Sequence, residues 1–179
     1  MKALFLCGVD EAGKSMTLRY SVQHLNTSSR TKSDFLNKRN PSKVVVVNGK
    51  KVYIALCSPQ ELSDAERSAV DILKDRLDSA RRNNADLFIL PLNIDEKYDQ
   101  SIDECLNYLM TEGLKSVSSF VYLDSKLSQD IFARQKINQI QSNQFTLLGI
   151  IERMRGPKIR EYNRRGRLFA NYINGLLGI

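Results

Sequence analysis

The apolar positions fall into short blocks whose spacing alternates between strand-like and helix-like periods. Lys2–Cys7 is a continuous apolar run closed by Gly8, the pattern of a buried strand. Leu18, Val22 and Leu25 then recur at helical spacing, predicting a helix that starts near Gly13. The polar stretch 26–42 is expected to be a long loop. Val44–Val47 and Val52–Cys57 flank Asn48-Gly49, the strongest short signal for an antiparallel hairpin. Ser63-Asp64-Ala65-Glu66 has the form of a capping box, and Leu62, Ala65, Ala69, Ile72, Leu73 and Leu77 continue as a helix stripe. Leu87–Leu92 is a buried strand with Pro91 near its end. A second box, Ser101–Glu104, opens a helix through Cys105, Leu106 and Leu109 that Gly113 closes. Strand, helix and strand follow over Val117–Leu123, Ile131–Ile140 and Phe145–Ile151. A last helix, about 158–177, carries Phe169, Tyr172, Ile173 and Leu176 on one face.

Strands alternating with helices predict one α/β domain over residues 1–179. A mostly parallel sheet of about six strands has helices on both faces and the antiparallel strand 44–47 at one edge. The length suits a single domain, and at 42% hydrophobic residues the chain can build a core. No apolar run reaches membrane-spanning length, and the first apolar block is too short for a secretory signal. Three cysteines without paired spacing and one histidine exclude a disulfide framework and a zinc ribbon. The expectation is a soluble cytoplasmic protein with Cys7, Cys57 and Cys105 in its core. The net charge of +7 is concentrated: residues 153–167 hold seven Lys and Arg opposed by Glu161 alone.

Gly8-Val9-Asp10-Glu11-Ala12-Gly13-Lys14-Ser15 fits G-x-x-x-x-G-K-[ST] without a gap, between an apolar strand and an amphipathic helix. Glycines let consecutive N–H groups converge on an anion, and the helix after Gly13 points its positive end at the same place. The backbone of Gly8, Asp10, Glu11, Ala12, Gly13, Lys14, Ser15 and Met16 is the candidate phosphate cradle. The Lys14 ammonium can reach the outer phosphates, and the Ser15 hydroxyl can ligate a bridging Mg²⁺.

With this loop and this order of elements, the chain resembles the small GTPases, P-loop NTPases, most closely the ADP-ribosylation-factor-like and Sar-like branch. The resemblance in element order covers nearly the whole chain; in motif it is specific over residues 8–15. It implies a three-layer P-loop NTPase fold, GTP or GDP with Mg²⁺ as ligand, and protein effectors or regulators as partners. It also assigns roles that the sequence fills unevenly. The D-x-x-G-Q slot after the hairpin reads Leu56-Cys57-Ser58-Pro59-Gln60: the aspartate is missing and Pro59 has no N–H to offer a phosphate, while Gln60 stands in the water-orienting position. Switch I offers Thr27, Thr31 or Ser33 as a second metal hydroxyl, with Thr31 the candidate. The base-reading segment corresponds to Asp124-Ser125-Lys126, where Asp124 can accept from a guanine edge and Lys126 can cover the ring, in an order that departs from the family's. Asp124 equally fits the acid ending a Walker B strand, or a simple turn former.

These departures separate binding from turnover. The loop supplies the phosphate grip, whereas hydrolysis needs a held metal, an oriented water and a charge stabiliser. The expectation is therefore a guanine-nucleotide-binding protein with weak or absent intrinsic hydrolysis. An ATP-binding ATPase or small-molecule kinase, and an interaction module with a vestigial loop, are the alternatives. Arg160, Arg164 and Arg167 share a side of the last helix. They form a solvated face or, with the rest of 153–167, a contact for nucleic acid or an anionic membrane. No lipid-anchor motif is present.

Overall fold

The computed structural model describes residues 1–37, 42–124, 131–152 and 158–179. Six strands form one sheet: β1 (Lys2–Gly8), β2 (Ser42–Val47), β3 (Lys50–Ala55), β4 (Leu87–Asn93), β5 (Ser118–Leu123) and β6 (Thr146–Ile151). Their order across the sheet is β2-β3-β4-β1-β5-β6. Only β2 and β3 pair antiparallel; the Asn48-Gly49 turn joins them with both residues at positive φ, 47° and 79°. The hairpin prediction holds, and its first strand is the sheet edge.

Among the described residues, seven α-helices cover the sheet in two layers: α1 (Lys14–His24), α2 (Ser29–Asn37), α3 (Pro59–Leu62), α4 (Ala69–Arg82), α5 (Asp99–Thr111), α6 (Ile131–Ser142) and α7 (Lys158–Leu177). The layers follow from the two-residue alternation of the strands. Ala3, Phe5 and Cys7 of β1 face a core built with α4, α5 and α6. Leu4 and Leu6 face the other core, with Leu18 and Val22 of α1, Phe35 of α2, and Phe169 and Ile173 of α7. The α/β three-layer architecture is as expected. Among the described residues no helix is long and apolar enough to cross a membrane.

Three local expectations are corrected. Within the stretch 26–42, Ser29–Asn37 is a helix rather than a loop: Ser28 caps it, its hydroxyl accepting from the Thr31 amide at 3.2 Å. Phe35 is fully buried, and Arg19 of α1 donates to the carbonyls of Phe35 and Leu36. One aromatic anchor, worth roughly 2–3 kcal/mol of apolar burial, overrides an otherwise polar composition. Ser63–Glu66 does not start a helix either. The reciprocal capping box is Ser68 with Asp71, and α4 begins at Ala69, where the apolar stripe becomes continuous. Ser101–Glu104 likewise lies inside α5, which starts at Asp99.

Candidate functional site

β1, β3, β4 and β5 are parallel, so the loops that follow them leave the sheet at one end. The chain leaves β1 toward the β2 edge and leaves the adjacent β5 toward the β6 edge. Their C-terminal ends therefore flank a crevice at a topological switch point, where open α/β sheets place ligands. The loop Gly8–Ser15 lies at this crevice.

Glu11 and Gly13 take positive φ, 57° and 89°, and turn the chain back upon itself. Gly13 precedes α1 without a side-chain cap, leaving the first N–H groups of the helix to a ligand. A methyl on Gly13 would meet Cε1 of Tyr162 at 2.9 Å, so α7 closes this side of the loop. Lys14 is buried, 4% exposed. Its ammonium donates to the carbonyls of Gly8 at 3.1 Å and Val9 at 2.7 Å. Two of three N–H donors thus fix the charge inside the loop. Burial pulls the Lys14 ammonium below the usual lysine range, and Glu61 is the foremost of the charges that oppose this, ahead of Asp95 and Asp10. Ser15 donates its hydroxyl proton to Leu56 O at 2.8 Å, which leaves oxygen lone pairs for a cation; the residue fits the hydroxyl ligand of Mg²⁺.

An anionic oxygen already sits on the loop. The Asp95 carboxylate, just past β4, accepts from the Asp10 amide at 2.5 Å. Its carboxyl is pushed above the usual range, chiefly by burial, which the Asp10 amide partly offsets. The Asp10 carboxylate pairs with Lys97 at 2.6 Å, and this hydrogen bond holds it below the usual range. Cys7, Cys57 and Cys105 are buried and free, as predicted, and burial pushes the Cys7 and Cys105 thiols up to about 12.

The remaining predicted site residues divide. Gln60 is at this end of the sheet, but it is buried and held to Asn93: its Nε2 donates to Asn93 O at 3.2 Å and its Oε1 accepts from Asn93 N at 3.5 Å. Pro59 opens α3, where a missing N–H leaves no helical bond unmade, and the Ser58 hydroxyl caps it. Asp124 ends β5; its amide donates to Ile151 O at 3.1 Å and its carbonyl accepts from Arg165 at 3.0 Å. Lys126 lies outside the described residues. Thr31 is not brought to Ser15. It bonds Ser28 at 2.9 Å and lines a groove with Asn26, Asn48 and Gly49, at the hairpin turn and the far end of α1. The 11 residues of α1 separate that end from the loop, roughly 15 Å at helical rise. Of the basic segment, Arg153 and Arg155 lie outside the described residues, Arg160 and Arg167 are exposed, and Arg164 donates to Glu152 O. Arg165 is buried, paired with Glu161 at 2.5 Å.

Asp95, Glu61, Asn93 and Arg165 escaped the sequence reading. Asn93 Nδ2 donates to Glu61 at 3.2 Å, while its buried Oδ1 has no partner among the described residues. Asp95 did leave a signal: an acid just beyond a buried parallel strand is a site candidate by position. No protein-family model and no curated protein matches the sequence.

Proposed function

We propose that the chain is a guanine-nucleotide-binding protein of small-GTPase type with weak intrinsic hydrolysis, acting through protein partners. The Gly8–Ser15 loop grips the di- or triphosphate, Ser15 shares Mg²⁺ with it, and Asp124 and Lys126 attend the base. The observation that carries this reading is the buried Lys14 ammonium, fixed by two loop carbonyls at the N-terminus of α1. The Asp95 oxygen on the Asp10 amide supports it, because a loop amide already donates to an anionic oxygen. Slow turnover is supported by Gln60, whose amide is engaged by Asn93 rather than turned to a water. Exposed Lys158, Arg160 and Arg167 offer a cationic surface for a partner, whether protein, nucleic acid or anionic membrane.

Glu61 and Asp95 favour a second reading. Their charges, with that of Asp10, act on the Lys14 ammonium, and acids gathered at the loop suit an ATP-dependent enzyme of the wider P-loop class. Calorimetric titration with GTP, GDP and ATP, with and without Mg²⁺, separates the two. The first reading expects guanine preference and a loss of at least 100-fold in triphosphate affinity in Lys14→Ala. Adenine preference selects the second. Silence toward every purine nucleotide leaves the loop an element of an interaction module.

A further inference from the structure

Arg165 reaches two loops of the crevice from one side chain. One terminal nitrogen donates to Ala12 O at 3.0 Å, inside the phosphate loop, and the other donates to Asp124 O at 3.0 Å, at the end of β5. The guanidinium is 3% exposed, and Glu161, one turn earlier on α7, neutralises it. Its base is fixed as well. Gly166 lies so close to α1 that a methyl there would come within 2.5 Å of Tyr20 Cβ, and Tyr162 stacks near Tyr20 and abuts Gly13. The backbone of α7 is therefore held at a set distance from the loop.

We propose that Arg165 is a positioning residue for phosphate binding, which turns the Gly13 N–H into the cradle and locks the phosphate loop to Asp124 at the end of β5. Peptide geometry links the contact to the ligand. The Ala12–Gly13 peptide is trans, so its C=O and N–H point in opposite directions. Arg165 draws the carbonyl toward α7 and so aims the amide away from α7, into the concavity of the loop. A guanidinium fork can hold two carbonyls on separate loops in a fixed plane; a lysine ammonium at the same place has neither the span nor the plane. The inference rests on the polyphosphate reading above, and the experiment keeps the two apart.

The test uses the full chain and inorganic pyrophosphate as the probe, measured by calorimetry in Arg165→Gln, Arg165→Lys and a control, Ile173→Val. The control opens the same α7 interface away from the loop and reports the effect of a merely loosened helix. The expected result is at least a tenfold loss of pyrophosphate affinity in both Arg165 variants, with the control close to wild type. In ligand-free protein, the Gly13 amide should shift in ¹H–¹⁵N spectra and exchange faster in the Arg165 variants alone. Should Arg165→Gln fail to fold, Arg165→Lys decides by the same readouts. Wild-type affinity together with an unmoved Gly13 amide in a folded Arg165 variant overturns the assignment, as does an equal loss in the control. If wild type binds neither pyrophosphate nor nucleotide, the polyphosphate reading fails, and the ligand-free Gly13 amide still decides for or against Arg165.

Discussion

The loop after β1 and the turn after β3 face each other across Ser15 and Leu56, yet they are built on different principles. The first turns inward by backbone conformation: positive φ at Glu11 and Gly13, a helix N-terminus, and one ammonium held by its own loop. Its Lys14 ammonium is held by the Gly8 and Val9 carbonyls and its Asp10 amide by Asp95. The second is closed by side chains. Ser58 caps α3, Gln60 bonds Asn93 in both directions, Arg76 donates to Cys57 O at 2.5 Å, and only Glu61 lends charge to the first loop. The first loop leads into a helix without a side-chain cap, whereas the helix after the second is capped by Ser58. That difference is the one the proposed binding without efficient turnover calls for.

The contrast breaks most sharply at Gly13. Gly13→Ala places a β-carbon at φ 89° and against Tyr162 at 2.9 Å. The expected outcome is a loss of about 2 kcal/mol or more of stability in denaturant melts and at least 100-fold in pyrophosphate affinity. Gln60→Ala tests the closed turn. It strips both partners from the Asn93 backbone and should cost roughly 1–3 kcal/mol of stability, yet leave pyrophosphate affinity within about twofold of wild type. A large loss of affinity there would mean that the two loops act as one unit.

Asp95→Asn sharpens the comparison with the smallest effect. It keeps an acceptor for the Asp10 amide and removes a negative charge from the cradle mouth, so pyrophosphate should bind roughly three- to tenfold tighter at neutral pH. The pH dependence follows from the sign of the shift. The Asp95 carboxyl lies above its unfolded value, so the native state gains stability as pH falls through the folded value, when that charge is lost. The affinity gap between wild type and Asp95→Asn should therefore narrow as pH falls. A constant gap from pH 7 to pH 5 would remove Asp95 from the cradle.

Particular elements show why some of this was legible in sequence. The hairpin was readable because Asn48-Gly49 satisfies a two-residue backbone requirement by itself. The helix Ser29–Asn37 was not, because its stability comes from Phe35 burying into a core assembled by α1 and the sheet, and from Arg19 on another helix. The start of α4 was misplaced because Ser63 and Ser68 both head a plausible capping box, and only the packing of Ala69 and Leu73 distinguishes them. Thr31 looked eligible as a metal hydroxyl because distance along the chain says nothing about which end of α1 the residue reaches.

The sequence alone determined the Gly8–Ser15 loop. Its strand, glycine turn, lysine and helix N-terminus interact within a few residues of one another, so their geometry follows from backbone preference and hydrogen bonding in series. Tertiary structure alone decided what surrounds it. Asp95 meets the loop across 85 positions and Arg165 across 153. Those meetings depend on the order in which six strands lie side by side and on the depth to which α7 seats against α1, long-range outcomes of core packing that no local pattern encodes.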